Sequence, residues 1–275
     1  MLPAPRAPEQ IVDYLHRIGT VFARFGVETQ DSGNVSYGVT VNGTRYFAKT
    51  AGDPADTSPY LRHPDRVGLL QNAARLAASV THPTLPTCHG MVDFAEGPLL
   101  VYEWREGEHL GTTARERDDP ATAFQRFRAL PSPDILQVLD QLFDLHDLLS
   151  RAGWIEGDFY DGALLYDFWS TRLTVIDLDS YRSGPYRNDM GRMFGSTRFM
   201  APEEQELGAT IDERTTLFVM ARTALVLLGD GTLDPARFRG SPAELGVLRR
   251  ALAPSPADRQ PDYAGFLEGW RQSRS

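Results

Sequence analysis

Residues 37–50 read YGVTVNGTRYFAKT and hold the only lysine in the chain, Lys49. The sequence contains 28 Lys plus Arg, so the other 27 basic side chains are arginine (28 − 1 = 27). Alternating apolar residues flank Asn42-Gly43, a pair that tolerates positive φ at both centres of a two-residue hairpin turn. Two antiparallel strands are expected, with Lys49 at the end of the second. A compact ammonium and a planar guanidinium are not interchangeable. One lysine among so many arginines therefore reads as a position that needs a point charge.

Working outward, residues 9–25 place Ile11, Tyr14, Leu15, Ile18, Val21 and Phe22 at helical spacing, which predicts a leading amphipathic helix. Residues 52–66 read as a loop, Val67–Val80 as a helix closed by His82-Pro83, and CHGMVDF and PLLVYEW as strands. Residues 110–132 are polar and bounded by prolines. From Pro133 a long amphipathic helix runs to a glycine stop at Gly153, and short strands follow around ALLYDF and LTVIDLD. A loop rich in Arg, Gly and Ser extends to about Arg198, and the remainder is mostly helical. Strands first and helices second predict an α+β protein in two lobes, residues 1–104 with a small antiparallel sheet and 105–275 helical.

Composition excludes several function classes. A net charge of −9 without a basic block argues against nucleic-acid binding. One cysteine, Cys88, excludes an intrachain disulfide and suits a reducing compartment. No apolar run reaches membrane-spanning length, and MLPAPRAPEQ lacks the basic and apolar regions of a secretory signal, so a cytoplasmic location is expected. The six histidines show no metal-binding spacing.

Two aspartates carry the chemistry. GDFYDGALLYDF and LTVIDLDSY place Asp158 and Asp177 19 residues apart (177 − 158 = 19), each at the edge of a short strand. One carboxylate can accept a hydroxyl proton, and another can hold Mg²⁺, a hard cation that takes oxygen ligands together with phosphates. With the ammonium of Lys49, this is the set that phosphoryl transfer needs.

The order of motifs resembles the protein-kinase-like superfamily. YFAKT is similar to the strand carrying the nucleotide lysine, THPTLP to the segment after the lobe-bridging helix, and LLVYEWREGEHL to the hinge. GDFYDGALLYD resembles the catalytic loop, closest to the form seen in aminoglycoside phosphotransferases. VIDLD resembles the metal site, and GSTRFMAPEE the end of the activation segment. The resemblance implies a bilobal kinase-like fold acting with ATP and Mg²⁺. Lys49 would bind the α/β phosphates, Asp158 would orient or deprotonate the acceptor hydroxyl, and Asp177 would hold the metal. Backbone groups of Glu103 and Arg105 would take the adenine edge, with Tyr102 behind it and Glu108 toward the ribose. Gly33 and Gly38 would cover the phosphates, although Val35 stands where a central glycine is expected. Arg259 would pair with Glu203.

Departures from the pattern are also legible. Ala163 replaces the second metal-binding asparagine, and Asp179 or Asp161 would have to supply that oxygen. Asn72 or Ala73 stands where the helix glutamate is expected. Glu156 and Gly157 replace the His and Arg before the catalytic aspartate, Tyr160 replaces a lysine, and Thr216 replaces an anchoring aspartate. Trp104, Trp154, His82 and Cys88 read as packing residues, and Arg182, Arg187, Arg192 and Arg198 as a solvated charged loop. The expected function is a phosphotransferase acting on a hydroxyl, with protein Ser or Thr slightly ahead of a small metabolite or antibiotic. A pseudokinase scaffold is the third reading.

Overall fold

The computed structural model describes residues 9–26 and 32–274. Residues 1–8, part of the stretch read for a secretory signal, lie outside them. The chain divides into two compact units, Met1–Arg105 and Glu106–Ser275. Helices and antiparallel sheet coexist, as an α+β reading requires.

In the first unit, α1 (Ile11–Ile18) leads into β1 (Thr20–Phe25), β2 (Val35–Val41) and β3 (Thr44–Thr50). Then come α2 (His63–Ser79), β4 (Cys88–Phe94) and β5 (Gly97–Glu103). The five strands form one antiparallel sheet ordered β1-β2-β3-β5-β4. Asn42 and Gly43 adopt φ of 50° and 80°, the doubly positive turn that the hairpin needs.

The leading helix is shorter than its apolar spacing predicts, and Thr20–Phe25 is a strand. The cause is Gly19. A Cβ there would lie 2.2 Å from the Thr40 carbonyl, so the chain passes flush against the sheet and joins it. An eight-residue helix is too short to persist alone. Burial of Ile11, Tyr14 and Leu15 on Val39, Val41, Ala48, Leu99 and Val101 holds it, at ~1.5–3 kcal/mol per large side chain. Strand alternation puts Ser36, Gly38, Phe47, Lys49 and Leu100 on the opposite face. The second helix begins at His63, four residues ahead of the sequence expectation (67 − 63 = 4), with Pro64 in its first turn.

In the second unit, β6 (Glu108–His109) and α3 (Ala123–Arg128) precede the long α4 (Ser132–Arg151). The strands β7 (Trp154–Ile155), β8 (Leu164–Asp167), β9 (Arg172–Val175), β10 (Arg182–Ser183) and β11 (Tyr186–Arg187) follow. After β12 (Thr210–Ile211) come α5 (Glu213–Leu228), α6 (Pro242–Ala251) and α7 (Tyr263–Gln272). The α5 helix is buried along nearly its whole length and begins at a capping box of Asp212 and Thr215. Its Glu213 carboxylate accepts from Ser150 Oγ at 3.1 Å and Tyr263 N–H at 3.2 Å, tying α4, α5 and α7 together. No helix among the described residues is long and apolar enough to cross a membrane.

Candidate active site

Two short ladders bring the loops that carry Asp158 and Asp177 together. The β8–β9 hairpin closes with Leu164 opposite Val175, and β7–β10 pairs Ile155 with Arg182. Between these clamps run two loops, 156–163 and 176–181. Ile176 N–H donates to the Ala163 carbonyl at 2.9 Å at one end. In the middle, a Cβ on Gly157 would lie 2.5 Å from the Ser180 carbonyl, so the two backbones touch. Any side chain at position 157 would strike that carbonyl, so only glycine fits there.

Both aspartates sit in the left-handed backbone region, Asp158 at φ 60° and Asp177 at φ 61°. That conformation costs an ordinary residue roughly 1–2 kcal/mol, though aspartate tolerates it better than most. Asp177 is exposed, Asp158 half-buried and Asp179 buried. Gly195 abuts Asp158, since a Cβ there would stand 3.2 Å from Asp158 Oδ1. The segment Gly195–Glu204 thus passes directly beside the candidate base.

Thr216 keeps an anchoring role, because its Oγ1 accepts the Glu156 N–H at 3.3 Å. The expected Arg259–Glu203 pair is present. Its two hydrogen bonds are 2.6 and 2.8 Å, and further bonds to the carbonyls of Ala253, Arg214 and Pro254 use the other guanidinium donors. Tyr181 O–H donates to His146 Nε2 at 2.8 Å while His146 Nδ1–H donates to the Leu142 carbonyl, which fixes the loop after Asp179 to α4.

A buried acid pair was not foreseen. Glu156 is 1% and Glu204 2% exposed. Glu204 Oε2 accepts the Ala201 N–H at 2.6 Å. Neither oxygen of Glu156 meets a donor in good geometry, and only a weak backbone contact from Phe159 assists it. Burial, then the negative charge of Glu204, pushes the Glu156 carboxyl well above the usual range. Burial pushes Glu204 up to about 7 against the help of Ala201, with Glu203 and Asp158 adding repulsion. The sequence signal was the carboxylate at position 156 itself, in a loop flanked by buried strands.

Arg198 Nη1 donates to Asp161 Oδ2 at 2.8 Å, so that oxygen is already engaged. The arginines of the loop before Phe199 are engaged with backbone or carboxylate partners. Arg187 bonds the Gly208 carbonyl and Arg192 the Gly195 carbonyl, and Arg182 approaches Asp189 at 3.8 Å. Tyr160 lies across Gly162 and against Phe199.

In the first unit Lys49 is 7% exposed and shares its row of the sheet with Ser36 and Leu100. The one carboxylate on α2, Asp65, is engaged by Arg62 at 2.9 Å, and Asn72 accepts from Arg75. Arg66 of the same helix is fully buried and bonds the carbonyls of Gly33 and Asp53, each at 3.0 Å.

Gly33 and Gly38 are both closely packed on the side a Cβ would occupy. A Cβ on Gly33 would lie 2.1 Å from Arg66 Nη1 and 2.3 Å from Pro59, and one on Gly38 would lie 2.6 Å from the Phe22 ring. Both are close-packing glycines. Glu103 donates its N–H to the Thr87 carbonyl at 2.8 Å, and its carboxylate pairs with Arg105 at 2.9 Å. Tyr102 stands opposite Phe47 on the neighbouring strand. Glu108 lies in the second unit, paired with Arg126. His82 caps its turn, with Thr84 N–H donating to Nδ1 at 3.3 Å.

Over about three quarters of its length the chain is similar to a protein kinase. That relative is the tyrosine-protein kinase MasK of Myxococcus xanthus (strain DK1622), 28% identical over 243 residues. The match covers 76% of this chain and 36% of the relative, so the chain spans about a third of that protein's length. No family model matches the chain.

Proposed function

We propose that the chain is a phosphotransferase of the bilobal protein-kinase-like fold, moving the γ-phosphate of ATP to a hydroxyl with Mg²⁺. The observation that carries this reading is the pair Asp158 and Asp177, both in left-handed backbone and both in loops that touch beyond the open end of one hairpin. Strained backbone in a loop clamped on both sides is the kind of outlier that points to function. Similarity to a protein named as a kinase supports the same class.

Each residue has a defined task. Asp158 accepts the proton of the acceptor hydroxyl as its oxygen attacks. Asp177 and the buried Asp179 supply the one or two carboxylates with which Mg²⁺ is usually held beside phosphate oxygens. When bound, the nucleotide supplies the phosphoryl group and the metal spreads its charge. Lys49 neutralises phosphate charge as a compact cation.

A protein side chain is the favoured acceptor, because GSTRFMAPEE passes beside Asp158 as a substrate-shaping segment would. Ser and Thr are the hydroxyls favoured by the sequence, and the name of MasK adds Tyr. A small hydroxylated metabolite remains the alternative, favoured by Gly157. Thermal denaturation with ATP, with and without Mg²⁺, tests the nucleotide and metal reading. The melting temperature rises with both together, and Asp177→Asn removes the metal-dependent part while keeping a residue that tolerates left-handed backbone. No shift in the wild type with Mg²⁺ and ATP overturns the reading.

A further inference from the structure

The face of the sheet that bears Lys49 is crowded with rings. Phe47 lies two residues before Lys49 on the same face, between Gly38 on β2 and Tyr102 on β5. Trp104 packs against Phe47 at 6.4 Å, Phe25 at 6.4 Å and Phe22 at 4.9 Å between ring centroids. The Phe22 and Trp104 rings fill the space that a side chain on Gly38 would take, at 2.6 and 3.0 Å from the Cβ position. Arg45 covers the outer side, about 6 Å from the rings of Phe22 and Trp104.

This arrangement constrains a nucleotide whose phosphates lie over Lys49. Successive residues on one strand face stand ~7 Å apart, about one sugar's reach from a phosphate. A base lying along β3 toward Phe47 meets the rings. A base lying the other way meets Ala51, Gly52 and Gly33, where the Gly33 carbonyl and Arg66 are already packed. We infer that Phe47, Phe22 and Trp104 occupy the place of the base, so the chain takes a nucleotide by its phosphates alone until those rings move. This rests on the phosphotransferase reading and deepens it into a base-excluding gate.

The gate is built to open. Phe22 is 42% exposed and sits at a bulge between Val21 and Ala23, where no ladder bond constrains it. The Trp104 indole N–H is buried without an acceptor, a penalty relieved when the ring swings into water. Phe47 has its backbone held by ladders on both sides, so only its ring can turn aside.

Calorimetric titration of the whole chain with Mg²⁺ and either ATP or inorganic tripolyphosphate tests the inference. The wild type binds the two within about threefold, because the base adds nothing. Phe47→Ala binds ATP about tenfold more tightly and leaves tripolyphosphate unchanged, as expected when a planar ring gains an apolar slot. Phe22→Ala, on an exposed ring, gives a smaller change in the same direction and serves if Phe47→Ala fails to fold by circular dichroism. ATP binding the wild type more than about tenfold better than tripolyphosphate, with either variant weakening it, overturns the gate and leaves the phosphotransferase reading standing. Binding of neither ligand to any variant overturns both.

Discussion

At the scale of single residues, the backbone contacts carry as much of the account as the charged groups. Lys49 was legible because composition isolated it among 27 arginines. Gly157 was legible only as an absence of arginine, and its reason appears in the 2.5 Å approach to Ser180. No sequence pattern announces that a Cβ would strike a carbonyl from a loop more than twenty residues away. Gly157→Ala should pry the two loops apart at a cost of about 1–3 kcal/mol, the usual range for overpacking. Differential scanning calorimetry reads that loss, and phosphotransfer should fall further than stability does. An alanine variant with unchanged melting and rate would remove the loop contact from the account. Lys49→Arg tests a different property: activity is lost while melting stays within a degree or so, because a forked cation cannot replace a point charge.

At the scale of elements, the acid pair joins the loop that carries Asp158 to the segment ending at Glu204. Burial raises both carboxyls in the folded chain, so each keeps its proton to a higher pH than it does in the unfolded chain. A carboxyl whose folded pKa is raised adds stability at low pH, below its unfolded value, and loses it as pH rises toward the folded value. For Glu204 that window runs from 4.5 to about 7. The melting temperature should therefore decline as pH rises from 5 to 8, by the equivalent of a few kcal/mol. Around the pair stand Asp158, Glu203 with its partner Arg259, and the phenols of Tyr181 and Tyr186. None of these adds a countercharge free to rescue Glu156. Glu156→Gln should flatten the decline and raise the melting temperature at pH 8, as read by thermal denaturation across pH. A wild-type profile that rises between pH 5 and 8 would contradict the pairing.

The same scale shows where sequence reading succeeds and fails. The β2–β3 hairpin was legible because Asn42-Gly43 has few other uses, and α4 because its apolar period is long and ends at a glycine. The β1 strand was not, because Ile18, Val21 and Phe22 continue a helical spacing across Gly19. Tertiary contact with Thr40 decides that boundary, and periodicity carries no record of it. The candidate site divides similarly. Asp158 and Asp177 could be read from their strand edges. The packing of Gly33 on Arg66 and of Gly38 under Phe22 could not, since each depends on side chains distant in sequence.

At the scale of the whole molecule, the chain is similar to a protein kinase over about three quarters of its length, its aspartate loops are clamped, and rings crowd the face of the sheet that bears Lys49. These features separate three outcomes: an active transferase, a transferase that must open, and a scaffold that never turns over. Retention of Lys49, Asp158 and Asp177 together favours the first two, since a scaffold needs none of their charges. The most direct test is transfer of labelled γ-phosphate from ATP with Mg²⁺ to the chain itself and to a mixed protein acceptor, located by mass spectrometry. The wild type should give phosphorylated hydroxyl residues, and Asp158→Asn, which keeps the left-handed backbone, should lower the yield by roughly a hundredfold or more. Equal labelling by the wild type and Asp158→Asn, or none by the wild type with either acceptor, would contradict it.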